Sequence, residues 1–211
     1  LGACSPAATG GDAAPMADSA IEAASDAALS ESAVAGPVEL AIAPGCNPIG
    51  VTSECMLPYP SDFLTREDPT TPTRRRLAIP QTALRTPPDL PMIDMAPFNR
   101  ADGSPTTSPI LVHFGADLAP AFLSPRGREA DTVRDTHPIA IFERSTGRRV
   151  AFLSEMDANR RGSNPRYALI LRPSAPLAFG QRYVVALRTS VRTTAGTPLA
   201  ESPGFAALRD R

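Results

Sequence analysis

The chemistry open to this chain rests first on its possible nucleophiles and bases, which are serine hydroxyls, cysteine thiols and two histidines. Acyl hydrolysis by serine needs a histidine base within hydrogen-bonding distance, and the serine is often presented in Gly-x-Ser-x-Gly. That pentapeptide is absent, because Gly162-Ser163 lacks the second glycine. His113 lies in an apolar run and is expected on a strand face, whereas His137 precedes a proline and is expected to be solvated. Dinucleotide, P-loop and HExxH motifs are also absent. The sequence therefore predicts no catalytic residues and no cofactor.

Cys4 has the most informative neighbours of the three cysteines. Leu1-Gly2-Ala3-Cys4 places two small residues between an apolar residue and the cysteine, which is typical of the cleavage box of a bacterial lipoprotein signal peptide. We predict lipidation at Cys4 and firm anchoring through several acyl chains. Ser5 favours the outer membrane or cell surface. The charged and apolar parts of a signal peptide are not in the sequence, so an ordinary N-terminus with a free cysteine stays open.

Cys46 and Cys55 form an even pair once Cys4 is assigned to lipid. In an oxidising compartment such a pair indicates a disulfide, and closing this short loop contributes about 2–3 kcal/mol in the chain-entropy model. The alternative is a metal site, which the lack of a nearby histidine disfavours.

Acidic and amide side chains offer one other candidate metal site. Oxygen atoms of Asp131, Asp135, Asp157 and Asn159 are suitable ligands for Ca²⁺. Their spacing is not that of an EF-hand loop, and acids in loops are usually solvated. The sequence therefore predicts no metal.

Charge is distributed unevenly although the formal net charge is −1. Residues 1–73 carry a net charge of −9 and residues 74–211 a net charge of +8. All basic residues are arginines, which a GC-rich genome explains. The one dense cluster, Arg74-Arg75-Arg76, has no aromatic residues interleaved with it, so we expect no nucleic-acid partner. Contact between this triplet and anionic lipid headgroups is the alternative.

Composition divides the chain into three parts. Residues 1–45 are rich in Ala, Ser, Gly and acids, and we predict a disordered tether, with a short Ala-rich helix as the alternative. Residues 46–98 are rich in proline and predict an extended arm that packs along the main domain and is pinned by the disulfide, with one edge strand at residues 77–80. Residues 99–211 are expected to form that domain. No run of 18 apolar residues is present, so the predicted contact with a membrane is through lipid.

Short apolar runs bounded by glycine and proline predict an all-β domain. The runs are residues 109–114, 139–144, 149–153, 167–172 and 183–187. Ser145-Thr146-Gly147 predicts a hairpin between the second and third runs. Alternation then gives the expected core, which is Ile110, Val112, Phe114, Ile139, Ile141, Tyr167, Leu169, Leu171, Tyr183, Val185 and Leu187.

The order of three motifs resembles a bacterial Ig-like module of the S-layer and adhesin type. They are residues 109–114, residues 167–177, and residues 181–187 followed by Thr-Ala-Gly-Thr-Pro-Leu at 194–199. The resemblance implies an Ig-like β-sandwich over about residues 99–208.

The arm resembles a different group, the N-terminal regions of large bacterial lipoproteins that carry an α/β-hydrolase domain of lipase or esterase type. The matching stretches are residues 55–64, 76–80 and 98–104. No hydrolase domain follows within the 211 residues, so the resemblance implies a non-catalytic leader or accessory module. We expect a lipid-anchored spacer or accessory domain. The alternatives are the leader of a longer hydrolase and an adhesin-type binding module. Against the adhesin, Trp is absent and the three tyrosines lie in strand or arm contexts.

Overall fold

The apolar runs form short antiparallel strands in the computed structural model, which describes residues 42–51, 54–84, 89–158 and 168–210. The strands are listed in chain order: β1 (Thr65–Glu67), β2 (Arg75–Leu77), β3 (Ile110–His113), β4 (Ile139–Glu143), β5 (Phe152–Met156), β6 (Ala168–Pro173) and β7 (Tyr183–Leu187). One short helix, α1 (Pro203–Arg209), follows them. The prediction that the chain folds mainly into antiparallel β-strands is confirmed.

Two sheets enclose the main core. One has the strand order β3-β6-β5 and the other pairs β4 with β7, both antiparallel. Inward side chains from both sheets and from neighbouring loops meet in one cluster: Ile110, Leu118, Ile139, Ile141, Phe152, Leu169, Leu171 and Val191. Phe152 is fully buried at the centre of a close-packed core.

Most of the expected core residues lie in or against this cluster. Five of them are buried, and Val112, Phe114, Tyr183, Val185 and Leu187 are partly buried against it. Tyr167 lies outside the described residues. The largest buried side chain, Phe152, was not among the expected core residues, although its strand was predicted.

The predicted hairpin after β4 forms only at its closed end. Phe142 bridges Arg149, and the N–H of Val150 donates to the carbonyl of Ile141 at 2.9 Å. Beyond this point the two strands separate, since β5 pairs with β6 whereas β4 pairs with β7. The turn is thus the place where the chain passes from one sheet to the other.

The arm has a small core of its own rather than being only an extended strap. β1 and β2 pair, and the buried residues Leu64, Leu77, Ile79, Ala83 and Met95 cluster beside them. An extended segment of the arm does pair with the main domain, because Tyr59 and Leu111 exchange two main-chain hydrogen bonds of 2.9 and 2.7 Å.

The predicted edge strand at residues 77–80 is replaced by a side-chain interaction. β2 ends at Leu77, and the Asn99 amide then bonds both main-chain groups of Ile79, accepting at 2.8 Å and donating at 2.9 Å. The Asn99 side chain therefore takes the place of a neighbouring strand.

Helix α1 begins at a clear sequence signal. Ser202 caps it by accepting from the N–H of Phe205 at 3.0 Å, and Pro203 occupies the first helical position. Proline is favoured there because that N–H has no partner within a helix. Gly204 rests against Pro48, so α1 packs on the loop closed by Cys46 and Cys55.

Candidate functional site

Ser124 and His137 bring a serine hydroxyl, a possible nucleophile, against a histidine ring, a possible base. Ser124 Oγ lies 2.9 Å from Nε2 of His137. Nδ1 of the same ring lies 2.7 Å from the carbonyl oxygen of Ile139. The N–H of Ile139 also lies 3.2 Å from Nδ1, so the contacts are compatible with either tautomer. With the hydrogen on Nδ1, the ring donates to the Ile139 carbonyl and Nε2 accepts from the serine hydroxyl.

A serine–histidine catalytic pair requires the tautomer with the hydrogen on Nδ1, yet Ser124 and His137 are both enclosed by neighbouring residues. Ser124 is 3% exposed, and its N–H donates to Ser154 Oγ at 2.7 Å. The ring of His137 contacts Phe152 edge-on, with 5.9 Å between centroids. A nucleophile must meet its substrate, so the geometry described here supports a role in linking the Ser124 segment to β4.

His137 is half-buried, so the prediction of a solvated side chain is wrong. The ring is hydrogen-bonded on both sides, to Ser124 and to Ile139 at the start of β4. His113 lies in β3 as predicted. The tyrosines Tyr59 and Tyr183 are half-buried, and Gly162, Ser163 and Asn159 lie outside the described residues.

Cys46 and Cys55 lie at disulfide distance, with 4.2 Å between their Cα atoms. The loop they close is tied further, because the N–H of Asn47 donates to the Cys55 carbonyl at 2.8 Å and the Asn47 amide donates to the Pro58 carbonyl at 3.0 Å. Cys4, the predicted lipidation residue, lies outside the described residues.

The arginine triplet does not present one basic surface. Arg76 donates to Asp68 at 2.6 Å and Arg75 donates to the Thr65 hydroxyl at 2.7 Å. The bond from Arg76, together with those from the Thr70 hydroxyl and N–H, holds the pKa of Asp68 well below its usual range. Of the three, Arg74 is the exposed residue, so the triplet serves mainly to fix β2.

Two of the acids considered as calcium ligands, Asp131 and Asp135, pair with arginines. Asp131 pairs with Arg128 at 2.9 Å and with Arg134 at 3.3 Å, and Asp135 pairs with Arg149 at 3.4 Å. The hydrogen bond from Arg128 is the main reason that the pKa of Asp131 is lowered. Within the described ranges, no group of three His, Cys, Asp or Glu side chains is placed to hold a metal ion.

An open, largely apolar groove of about 1940 Å³ is lined by residues of β3 and β7. β3 contributes Val112 to it and β7 contributes Val185 and Leu187. All three are only half-buried, although they pack against the main core. Phe179, 89% exposed, also lines the groove. Apolar side chains around a concavity provide a surface for a partner.

Two arginines flank the β7 side of this groove. Arg182 precedes the strand and forms an ion pair with Asp62. Arg188 follows it and donates to the main-chain carbonyl of Asp135 at 2.6 Å. Alternation along β7 predicts its odd-numbered side chains in the core but gives no sign of a groove, because an unpaired strand edge is not visible in local sequence.

Comparisons with models of known families, with curated proteins and with solved structures yielded no match to this chain. In the ranges that the structure describes, no helix has both the length and the apolar character needed to cross a membrane.

Proposed function

We propose that this chain is a lipid-anchored, extracytoplasmic β-module of Ig-like architecture that serves as a non-catalytic accessory domain for a hydrolase of lipase or esterase type. The observation that carries the accessory role is the apolar groove beside β7. A module acting only as a spacer has no need for half-buried Val112, Val185 and Leu187 around an open concavity. A docking partner would bury these side chains and gain about 25 cal/mol per Å² of apolar surface removed from water.

The extracytoplasmic location is supported by the cysteines. The Cys46–Cys55 pair at disulfide distance suits an oxidising compartment. The box Leu1-Gly2-Ala3-Cys4 suits lipid attachment at Cys4. The two observations are independent, because one depends on three-dimensional proximity and the other on local sequence.

The Ig-like architecture is supported by two antiparallel sheets around a shared core and by the order of strand motifs along residues 109–199. Switching of the chain between sheets at the β4–β5 turn is compatible with a sandwich.

The anchor is tested by expressing the gene with its native upstream sequence in a bacterial host. The wild-type chain should fractionate with membranes and show a diacylglycerol mass on Cys4, and Cys4→Ser should move it to the soluble fraction. Unchanged partitioning of the variant would reject the lipid anchor.

The accessory role is tested on the genomic neighbourhood and then on the protein. We expect a reading frame encoding Gly-x-Ser-x-Gly beside or continuous with this one. Co-expressed hydrolase should co-purify with the wild-type chain and with Leu90→Asp, at an exposed apolar residue outside the groove, but not with Val185→Asp. An unrelated neighbouring gene, or equal recovery with both variants, would contradict a hydrolase partner at the groove.

A further inference from the structure

We infer that the free edge of β7 binds an extended segment of the partner by strand addition, and that this segment carries apolar residues on its inward face and an acidic residue at each end. The inference rests on the proposed accessory function and specifies the chemistry of the partner. It follows from three observations on the edge, the face and the ends of β7.

The edge of β7 has unused main-chain groups. Among the described strands, β4 is the neighbour of β7. The N–H of Arg144 donates to the Arg182 carbonyl and the N–H of Arg188 donates to the Pro138 carbonyl, each at 2.8 Å. Even-numbered residues of β7 therefore direct their main-chain groups towards β4. Those of Tyr183, Val185 and Leu187 point to the opposite edge, where they bond no other described residue.

A five-residue strand with an unpaired edge is a template for another strand. Natural proteins usually blunt such an edge with proline, a bulge or an inward charge. β7 has the sequence Tyr-Val-Val-Ala-Leu and contains none of these. Strand addition supplies main-chain hydrogen bonds from the edge and side-chain selectivity from the adjoining pockets.

The face beside this edge selects apolar side chains. Tyr183, Val185 and Leu187 point inward from β7, while Val112 and Phe114 lie on the β3 side of the same groove. Alternate residues of an added strand would point into this space, because successive side chains in a strand face opposite ways. The segment must therefore be apolar at every second position.

The ends of β7 select acids and disfavour a second copy of this chain. Arg182 and Arg188 share the outer face and are six residues apart, which is about 20 Å along a strand. Pairing β7 with its own copy would set arginine opposite arginine at both ends, whether the strands ran antiparallel or parallel. Like charges directly opposite are destabilising. Arg182 already meets Asp62, but a guanidinium has five donor hydrogens and retains capacity for a second carboxylate.

The expected pattern is thus an acid, three apolar residues at alternating positions and a second acid six residues from the first. The peptide Asp-Val-Thr-Val-Thr-Val-Asp, capped and fluorescently labelled, represents it. Its matched controls are the same peptide with Lys at both ends and a scrambled peptide of identical composition.

Binding to the full-length chain is measured by fluorescence anisotropy at low ionic strength. The Asp-ended peptide should bind at least about ten-fold more tightly than the Lys-ended and scrambled peptides. The double variant Arg182→Glu with Arg188→Glu should reverse the preference between the Asp-ended and Lys-ended peptides. Absence of binding, or a preference that the double variant does not reverse, would overturn the proposal.

Amide hydrogen exchange followed by NMR locates the contact within the strand. Saturating Asp-ended peptide should slow exchange at Val185 and Leu187, whose N–H groups face the free edge. Exchange at Ala186, already bonded within the sheet, provides the internal control. Protection elsewhere without change at Val185 and Leu187 would also overturn strand addition. Neither measurement depends on Cys4 or on a hydrolase gene, so this proposal and the proposed function can fail separately.

Discussion

Ser124 and His137 are thirteen residues apart in the chain, and their side chains meet at 2.9 Å beneath the surface of the main domain. The ring joins two elements, because its other nitrogen bonds the carbonyl of Ile139 at the start of β4. Ser124 is also tied to β5, since the N–H of Ser154 donates to its carbonyl at 2.8 Å. The pair therefore links a loop to a strand of each sheet.

His137→Ala should destabilise the fold by about 1–3 kcal/mol, because it leaves the Ser124 hydroxyl and the Ile139 carbonyl without these partners. Ser124→Ala should cost a similar or smaller amount. Urea unfolding monitored by circular dichroism measures both. Ser174→Ala, at an exposed serine, is the control and should stay within about 0.5 kcal/mol of wild type. If His137→Ala is as stable as the wild type, the Ser124–His137 pair does not stabilise the packing of the two sheets.

Ser124 should not react with a fluorophosphonate probe in the native chain, because its hydroxyl is buried and already hydrogen-bonded. Peptide mass mapping after labelling checks this. A known serine esterase treated in parallel confirms that the probe is active. Modification of Ser124 at a comparable rate would identify an accessible nucleophile and contradict the proposed non-catalytic role.

The strands of the main domain could be predicted because their signal is local. Alternation places Ile139 and Ile141 on one face of β4, and Val185 and Leu187 on one face of β7, whatever the rest of the chain does. Glycine and proline between the runs mark their ends. Helix α1 could also have been predicted, since Ser202-Pro203 is a local start signal.

Pairing across the fold could not be predicted in the same way. The turn after β4 predicts a hairpin, but β5 leaves it for β6 because the partner of a strand depends on non-local packing. The Asn99–Ile79 bonds join residues twenty apart, and no spacing rule marks them. The groove is a consequence of which edges remain unpaired, so only the assembled sheets reveal it.

Asp68 makes stability depend on pH in the acid range. Its pKa is lowered in the folded chain from an ordinary value of 3.8, chiefly by Arg76. The stability that ionised Asp68 contributes is therefore fully present above pH 3.8. It is lost as the pH falls from there towards the lower pKa that Asp68 has in the folded chain.

Asp68→Asn should accordingly flatten the dependence of unfolding free energy on pH below about pH 4. Some dependence will remain from Glu143, for which burial opposes ionisation but bonds from Thr146, Ser145 and Arg148 outweigh it and lower the pKa. Urea unfolding between pH 2.5 and 7 measures the effect, with Asp89→Asn, at an exposed residue, as control. An identical pH profile for wild type and Asp68→Asn would refute the assignment.

Replacing both Cys46 and Cys55 by serine should lower the free energy of unfolding by about 2–3 kcal/mol, because the unfolded chain loses its closed loop. Adding reductant should destabilise the wild type by a similar amount and leave the double variant unchanged. In the oxidised, exported protein, neither residue should alkylate before reduction. Alkylation of both without reductant would show that the disulfide does not form.

Gly204→Ala tests whether α1 rests on the same loop. A Cβ atom at Gly204 would lie 2.1 Å from the carbonyl oxygen of Pro48, so the helix or the loop must move. Alanine is intrinsically better than glycine in a helix by about 0.5–1 kcal/mol, and a net loss appears only if the clash exceeds that gain. We expect a net loss of about 1–3 kcal/mol, typical of overpacking.

Gly103→Ala is the matched control, because a Cβ there meets nothing within 4 Å. Urea unfolding of both variants gives the comparison, and exchange of the Asn47 N–H, bonded to the Cys55 carbonyl, reports on the loop. If α1 is seated on Pro48, Gly204→Ala should lower stability and speed that exchange while Gly103→Ala changes neither. If Gly204→Ala is more stable than the wild type, the added methyl group meets no steric clash. In that case α1 does not pack on the disulfide loop.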